Sequence, residues 1–272
     1  MRQCGTRPEM LSIIVCIKQV LDPEAPTSTY KVDEATRRMT QKGVPPVMSP
    51  FDENALEAAL RIKHSQPSKI TILSLGWNLS RAVLRKALAA GADDLILLED
   101  SALENLDSYA TASGLAAAIK KIGIYDLILT GRQAADGNAG NVGPGIAELL
   151  GIPSISAARR VEIVDGKVVV ESITPDGYNI IEANFPALVS VSNELGELRS
   201  VPLKEIMAAQ KKPITTWNSD QLGINPARLG RTRILSMFIP QYQAHCEILK
   251  GATIEEMGAN LALKLKENKL IS

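Results

Sequence analysis

Hydrophobic residues in this chain gather in short, nearly continuous runs. Leu11-Ser12-Ile13-Ile14-Val15-Cys16-Ile17, Ile70-Thr71-Ile72-Leu73-Ser74-Leu75, Leu95-Ile96-Leu97-Leu98, Tyr125-Asp126-Leu127-Ile128-Leu129-Thr130 and Ala187-Leu188-Val189-Ser190-Val191 are the clearest. A strand that is apolar on both faces belongs inside a parallel sheet covered on both sides, so each run is predicted to be a core strand. Between them apolar residues recur at helical spacing: Glu53 to Lys63, with Ala55, Leu56, Ala59 and Leu60 on one side, then Ser80 to Ala90, Asp107 to Ile122 and Val142 to Leu150. Asp52, Ser80 and Asp107 stand at helix starts as acceptors for orphan amides, and Gly91 and Gly123 follow two of the helices as glycines in the C′ position. Alternating strands and helices predict an α/β fold, a doubly wound and mainly parallel sheet with right-handed crossovers.

From Arg160 to Ile181 the pattern changes to alternation around Asp165-Gly166 and Asp176-Gly177, the signature of an antiparallel β-ribbon, expected over residues 158–185. After Ser192 periodicity fades. Gly196, Pro202, Pro213, Gly223, Pro226 and Gly230 punctuate a segment with one short helix, Leu203 to Ala209, before a terminal helix from Ile254 to Lys269. Irregular chain of that length suggests an arm lying on another protein. The predicted organisation is an extension over residues 1–10, an α/β domain over 11–192, and a partner-binding loop, arm and terminal helix over 193–272.

Composition narrows the function. Thirty basic and thirty acidic residues cancel, so no net field attracts nucleic acid or an anionic membrane. An aromatic share of 4% is low, which argues against the base-stacking platforms of single-stranded nucleic-acid binding and against carbohydrate-type surfaces. Cys4, Cys16 and Cys246 lack disulfide, zinc or iron–sulfur spacing, no apolar run reaches the roughly 18 residues of a membrane span, and Met1 to Met10 lacks a signal peptide's apolar core. A cytoplasmic protein with reduced thiols is expected. His64 and His245 have no partners at triad or metal spacing, and no GxSxG, HExxH or SxxK motif occurs, so no catalytic residue is assigned.

The richest local signal is Gly131-Arg132-Gln133-Ala134-Ala135-Asp136-Gly137-Asn138-Ala139-Gly140-Asn141-Val142-Gly143-Pro144-Gly145, between a buried strand and a helix. In an open α/β sheet ligands sit beyond the carboxyl ends of strands, where glycines let backbone amides approach a phosphate. The loop has neither the Gly-Lys-Ser/Thr ending of a Walker A motif nor a GxGxxG continuation. A plain connector is the competing reading, although Gln133, Asp136, Asn138 and Asn141 among the glycines exceed what a connector needs. Pro45-Pro46-Val47-Met48-Ser49-Pro50-Phe51-Asp52-Glu53-Asn54 leads stiffly into the first helix. Ser49 and Asp52 there read equally as helix caps or as contacts to the same ligand.

These residues resemble the β subunits of electron-transfer flavoproteins. The carriers are Val15-Cys16-Ile17-Lys18-Gln19-Val20, Met48-Ser49-Pro50-Phe51-Asp52-Glu53-Asn54-Ala55 with the helix that follows, Leu88-Ala89-Ala90-Gly91-Ala92-Asp93, and above all Gly131-Arg132-Gln133-Ala134-Ala135-Asp136-Gly137. The likeness runs from Ile13 to the terminal helix. It implies the adenine-nucleotide-binding, Rossmann-like version of the fold and a heterodimer whose α subunit carries most contacts to a redox FAD. The β subunit then holds AMP or, in electron-bifurcating members, a second FAD with NADH as donor. The matching nucleotide contacts are Cys16, Ser49, Pro50, Phe51, Asp52, Leu75 and Gly131 to Val142. The resemblance also implies docking of an acyl-CoA or related dehydrogenase at Glu197 to Met207, with Leu198, Arg199, Leu203 and Ile206 as contacts. The segment Pro23 to Gln41 and Asp136-Gly137-Asn138 look more like the bifurcating type. Two other classes compete: a stand-alone adenine-nucleotide-binding regulator of universal-stress-protein type, and an NAD-dependent enzyme with an atypical loop, for which no proton donor is evident.

Overall fold

The computed structural model describes residues 10–225, 229–240 and 246–271. In chain order the elements are β1 (Leu11–Cys16), β2 (Gln19–Val20), β3 (Tyr30–Asp33), β4 (Arg38–Gln41), β5 (Val47–Met48), α1 (Pro50–Ser65), β6 (Ser68–Gly76), α2 (Arg81–Ala90), β7 (Asp94–Glu99), α3 (Ser108–Ile122) and β8 (Leu127–Gly131). They continue with α4 (Val142–Leu150), β9 (Ser154–Val164), β10 (Lys167–Thr174), β11 (Gly177–Asn184), β12 (Ala187–Val191), α5 (Leu203–Ala209), β13 (Thr215–Trp217) and α6 (Ile254–Glu267).

Successive strand residues face opposite sides of a sheet, and β1 shows why its run is continuous. Ile13 and Val15 join a core built with α1 and α2, through Leu56, Ala59, Val83 and Leu84. Ile14 and Cys16 join a second core with α3 and α4, through Leu115, Ile119 and Ile146. Helices on both faces are what the apolar runs predicted. The sheet order is β11-β10-β9-β12-β8-β1-β6-β7-β13. Strands β9 to β13 across that order pair in parallel, while β10 and β11 extend the sheet as antiparallel strands. The expected ribbon is thus part of the main sheet, beginning at Ser154 because β9 also pairs with β12.

Two expectations shift. Asp52 does not cap α1: the helix begins at Pro50 after Ser49, which puts Asp52 in the first turn with its carboxylate directed at neighbouring strand ends. Proline suits the first helical position because its missing N–H would be orphaned there anyway. Part of the irregular segment after Ser192 packs on the α/β domain. The chain divides into two compact units, residues up to Met237 and from Phe238 onward. Within the first unit β13 pairs with β7, α5 buries Ala209, and Ser219 N–H donates to Asp100 (3.2 Å). The second unit carries α6, capped by Thr253, whose side chain accepts from Glu256 N–H. Cys4 and His245 lie outside the described residues.

Candidate functional site

The strands β8, β1 and β6 stand side by side and all end at the same edge, so the residues that follow them converge. Lys18 and Gln19 follow β1, Leu75 to Trp77 close β6, and Thr130 to Arg132 close β8. Together with Leu103 to Ser108 beyond β7, Thr111 and Leu115 of α3, and Thr232, they line a cleft of about 580 Å³. That volume falls within the ~300–1,000 Å³ of small-molecule and cofactor sites.

Asp52 joins the two strand ends at the cleft floor. Its carboxylate accepts from Lys18 N–H at 2.7 Å and from Gly131 N–H at 3.0 Å. Burial pushes this carboxyl up to about 7, with the two backbone donors and Lys18 acting against the rise and Asp136 adding to it. The approach of α1 to β8 requires glycine at 131, because a Cβ there would stand 2.5 Å from Asp52 Oδ1 and 2.7 Å from the Phe51 carbonyl carbon. Cys16 lies buried beside this group. Burial, and then Asp52, raise its thiol far above the ordinary range, so it is an apolar wall and not a nucleophile.

Across the cleft the glycine loop is held by Lys18, whose ammonium meets the Asp136 carboxylate at 2.7 Å, and by Gln133 Nε2, which donates to Asn138 Oδ1 at 3.1 Å. Arg132 lays its guanidinium 5.0 Å from the centre of the Phe51 ring. The loop ends at α4, whose first amides have no intrahelical partners. There Gly143 leaves room beside Thr130, since a Cβ would come within 2.7 Å of Thr130 Oγ1. That hydroxyl is buried and has no hydrogen-bond partner among the described residues. An unsatisfied hydroxyl beside a helix N-terminus and a glycine loop fits a phosphate-bearing ligand, and the apolar floor of Cys16, Leu75, Leu103 and Leu115 fits a flat ring.

Comparison with known proteins gives the family. The model of the electron transfer flavoprotein domain matches residues 37–222. A "Caffeyl-CoA reductase-Etf complex subunit CarD" from Acetobacterium woodii is 38% identical over 96% of this chain and 100% of its own length. An "Electron transfer flavoprotein subunit beta" from Megasphaera elsdenii is 39% identical over 88% of this chain and 92% of its own. "Protein FixA" from Azotobacter vinelandii is 33% identical over 79% of this chain and 78% of its own.

The chain belongs to the electron transfer flavoprotein family.

It is a β subunit of that family. Of the nucleotide contacts that the family resemblance implied, Cys16, Asp52, Leu75, Gly131, Arg132, Gln133, Ala134, Asp136, Gly137, Asn138, Ala139, Gly140 and Val142 line the cleft. Ser49, Pro50, Phe51, Ala135 and Asn141 do not line it: Ser49 is fully buried, and the Phe51 ring lies against the Arg132 guanidinium. Sequence reasoning missed Lys18, Gln19, Trp77, Leu79, Thr130 and the stretch Leu103 to Ser108. The rule that ligands gather beyond strand ends, applied to β1, β6 and β7 as it was to β8, marks most of them.

The expected docking residues divide. Leu198 packs on the core, and Arg199 is gripped by Glu57 of α1, whose buried carboxylate accepts from Arg199 N (3.1 Å), Nε (3.0 Å) and Nη2 (3.0 Å). Leu203 and Ile206 instead face outward on α5 with Met207, Leu203 being 72% exposed. Among the described residues no group of acidic, histidine or cysteine side chains could hold a metal ion. No helix there is long and apolar enough to cross a membrane.

Proposed function

We propose that this chain pairs with an electron-transfer flavoprotein α subunit in the cytoplasm and that its cleft holds FAD, the pair taking electrons from NADH and dividing them between a high-potential and a low-potential acceptor. The observation that carries the reading is the cleft, about 580 Å³ with a phosphate-type wall at Gly131 to Val142 and an apolar wall at Leu75, Leu103 and Leu115. AMP would occupy only part of it. FAD, when bound, supplies the exchange between two-electron and one-electron chemistry. The chain's own residues bind and shield. The glycine loop, the first turn of α4 and the Thr130 hydroxyl hold phosphate, Lys18 keeps the loop closed through Asp136, and the leucines exclude water.

The hairpin of β3 and β4 also favours the FAD form, because it comes from the segment that resembles bifurcating subunits and its Arg38 pairs with Glu104 on the cleft wall. The outward face of α5, with Leu203 and Ile206, suits a transient dock for an acyl-CoA or related dehydrogenase, and the "Caffeyl-CoA reductase-Etf complex" of one relative supports that class. The terminal helix α6 buries none of its residues while carrying Ile254, Met257 and Leu261, as an arm laid on the α subunit requires.

The test is anaerobic titration of the purified heterodimer with NADH, followed by flavin absorbance. Reduction by NADH with no dehydrogenase present supports the proposal. A flavin that stays oxidised under excess NADH, yet is reduced by an acyl-CoA dehydrogenase and its substrate, makes the pair a simple shuttle and removes the NADH role.

A further inference from the structure

We propose that Trp77 is the stacking platform for a planar ring of the nucleotide bound in this cleft, and that it contributes to nucleotide affinity; this rests on the nucleotide-binding reading above. Trp77 follows the last residue of β6, lines the cleft, and is 49% exposed overall. A scattered exposed aromatic residue is unremarkable by itself. Here the backbone that carries it is locked from both sides.

Gln19, after β1, accepts from Ser80 N–H at 2.6 Å through Oε1 and reaches the Asn78 carbonyl through Nε2. Glu99, at the end of β7, accepts from Leu79 N–H at 2.8 Å and pairs with Arg81. Asn78 takes a left-handed conformation (φ 54°), which turns the chain sharply just after the tryptophan. Side chains from two neighbouring strand ends therefore fix the turn while leaving the indole uncovered, the arrangement expected of a preorganised contact and not of a frayed loop.

The position also suits a nucleotide. β8 and β6 flank β1 in the sheet, so the glycine loop and Trp77 stand about two strand spacings apart, roughly 10 Å. A phosphate on the loop then leaves its ring within reach of the indole. The shared chemistry is a flat heteroaromatic face, either adenine or isoalloxazine.

The experiment uses the full-length chain with Trp217→Phe, which leaves Trp77 as its only tryptophan. Bound AMP or FAD is measured by equilibrium dialysis on the same samples used for indole emission. Quenching by AMP marks adenine as the stacked ring. A flavin also quenches by energy transfer, so the FAD arm is read by affinity. Adding Trp77→Ala is expected to weaken the ligand that stacks by roughly 5- to 100-fold, whereas Trp77→Phe retains most of the affinity. Binding that is equal in the parent, Trp77→Ala and Trp77→Phe proteins overturns the stacking role and leaves the nucleotide site standing. If neither nucleotide binds the chain, the site reading falls as well.

Discussion

Gly131→Ala tests the way the cleft floor is assembled. The glycine has no positive φ, so alanine costs nothing in backbone conformation. The cost comes from space: the new Cβ would meet Asp52 Oδ1 at 2.5 Å and the backbone of Phe51 at 2.7 Å, and helix backbone cannot rotate away as a side-chain tip can. Overpacking of this kind costs about 1–3 kcal/mol, and weakening the Gly131 N–H bond to the Asp52 carboxylate adds part of the ~1.5–3 kcal/mol of a hydrogen bond to a charged group, for about 2–4 kcal/mol together. Gly137→Ala is the control. It lies in the same loop, has no positive φ, and a Cβ there meets nothing within 4 Å. Urea unfolding of both variants, followed by far-ultraviolet circular dichroism, should lower the midpoint for Gly131→Ala and leave Gly137→Ala near the parent. If the two differ by less than about 0.5 kcal/mol, the close approach of α1 to β8 is not what demands glycine.

Asp52 gives a pH signature. Its carboxyl ionises near its ordinary 3.8 in the unfolded chain but at about 7 when folded, so between those values the folded protein binds the extra proton. Its contribution to stability is full below about pH 4 and is lost as pH rises through about 7, with a limiting slope of about 1.4 kcal/mol per unit. Asp52→Asn should flatten the difference between unfolding curves at pH 5 and pH 8; an unchanged difference contradicts the burial argument. Glu57→Gln should loosen the grip on Arg199, costing about 1 kcal/mol after discounting for the exposed guanidinium, and should speed amide exchange in Leu198 to Val201. Leu203→Ala and Ile206→Ala should shift stability by less than about 0.5 kcal/mol, as exposed positions do. If α5 is the dock, the same changes weaken the redox partner's binding, measured by surface plasmon resonance.

The central strands of the sheet were legible because burial on both faces writes itself as an unbroken apolar run, and α4 appeared at its observed bounds because glycine, asparagine and apolar spacing all agree there. Elements without a buried face left no such mark. β3 and β4 pair only with each other, and their residues are half-buried or exposed. β13 is three residues long, and its place beside β7 comes from tertiary pairing, not from its sequence pattern. Asp52 misled because an aspartate before an apolar helix face looks like a cap, whereas Pro50 starts the helix and turns that carboxylate toward β1 and β8. The glycine loop could be read as one wall of a site. The facing wall, from Lys18 through Trp77 to Leu106, is assembled from segments that only the parallel sheet brings together.

The central claim, that this β subunit holds a flavin in its own cleft, is tested most directly by co-purifying the chain with its α subunit, releasing the bound nucleotides by denaturation and quantifying them by chromatography. Two FAD per heterodimer is the predicted result; one FAD accompanied by one AMP would contradict it.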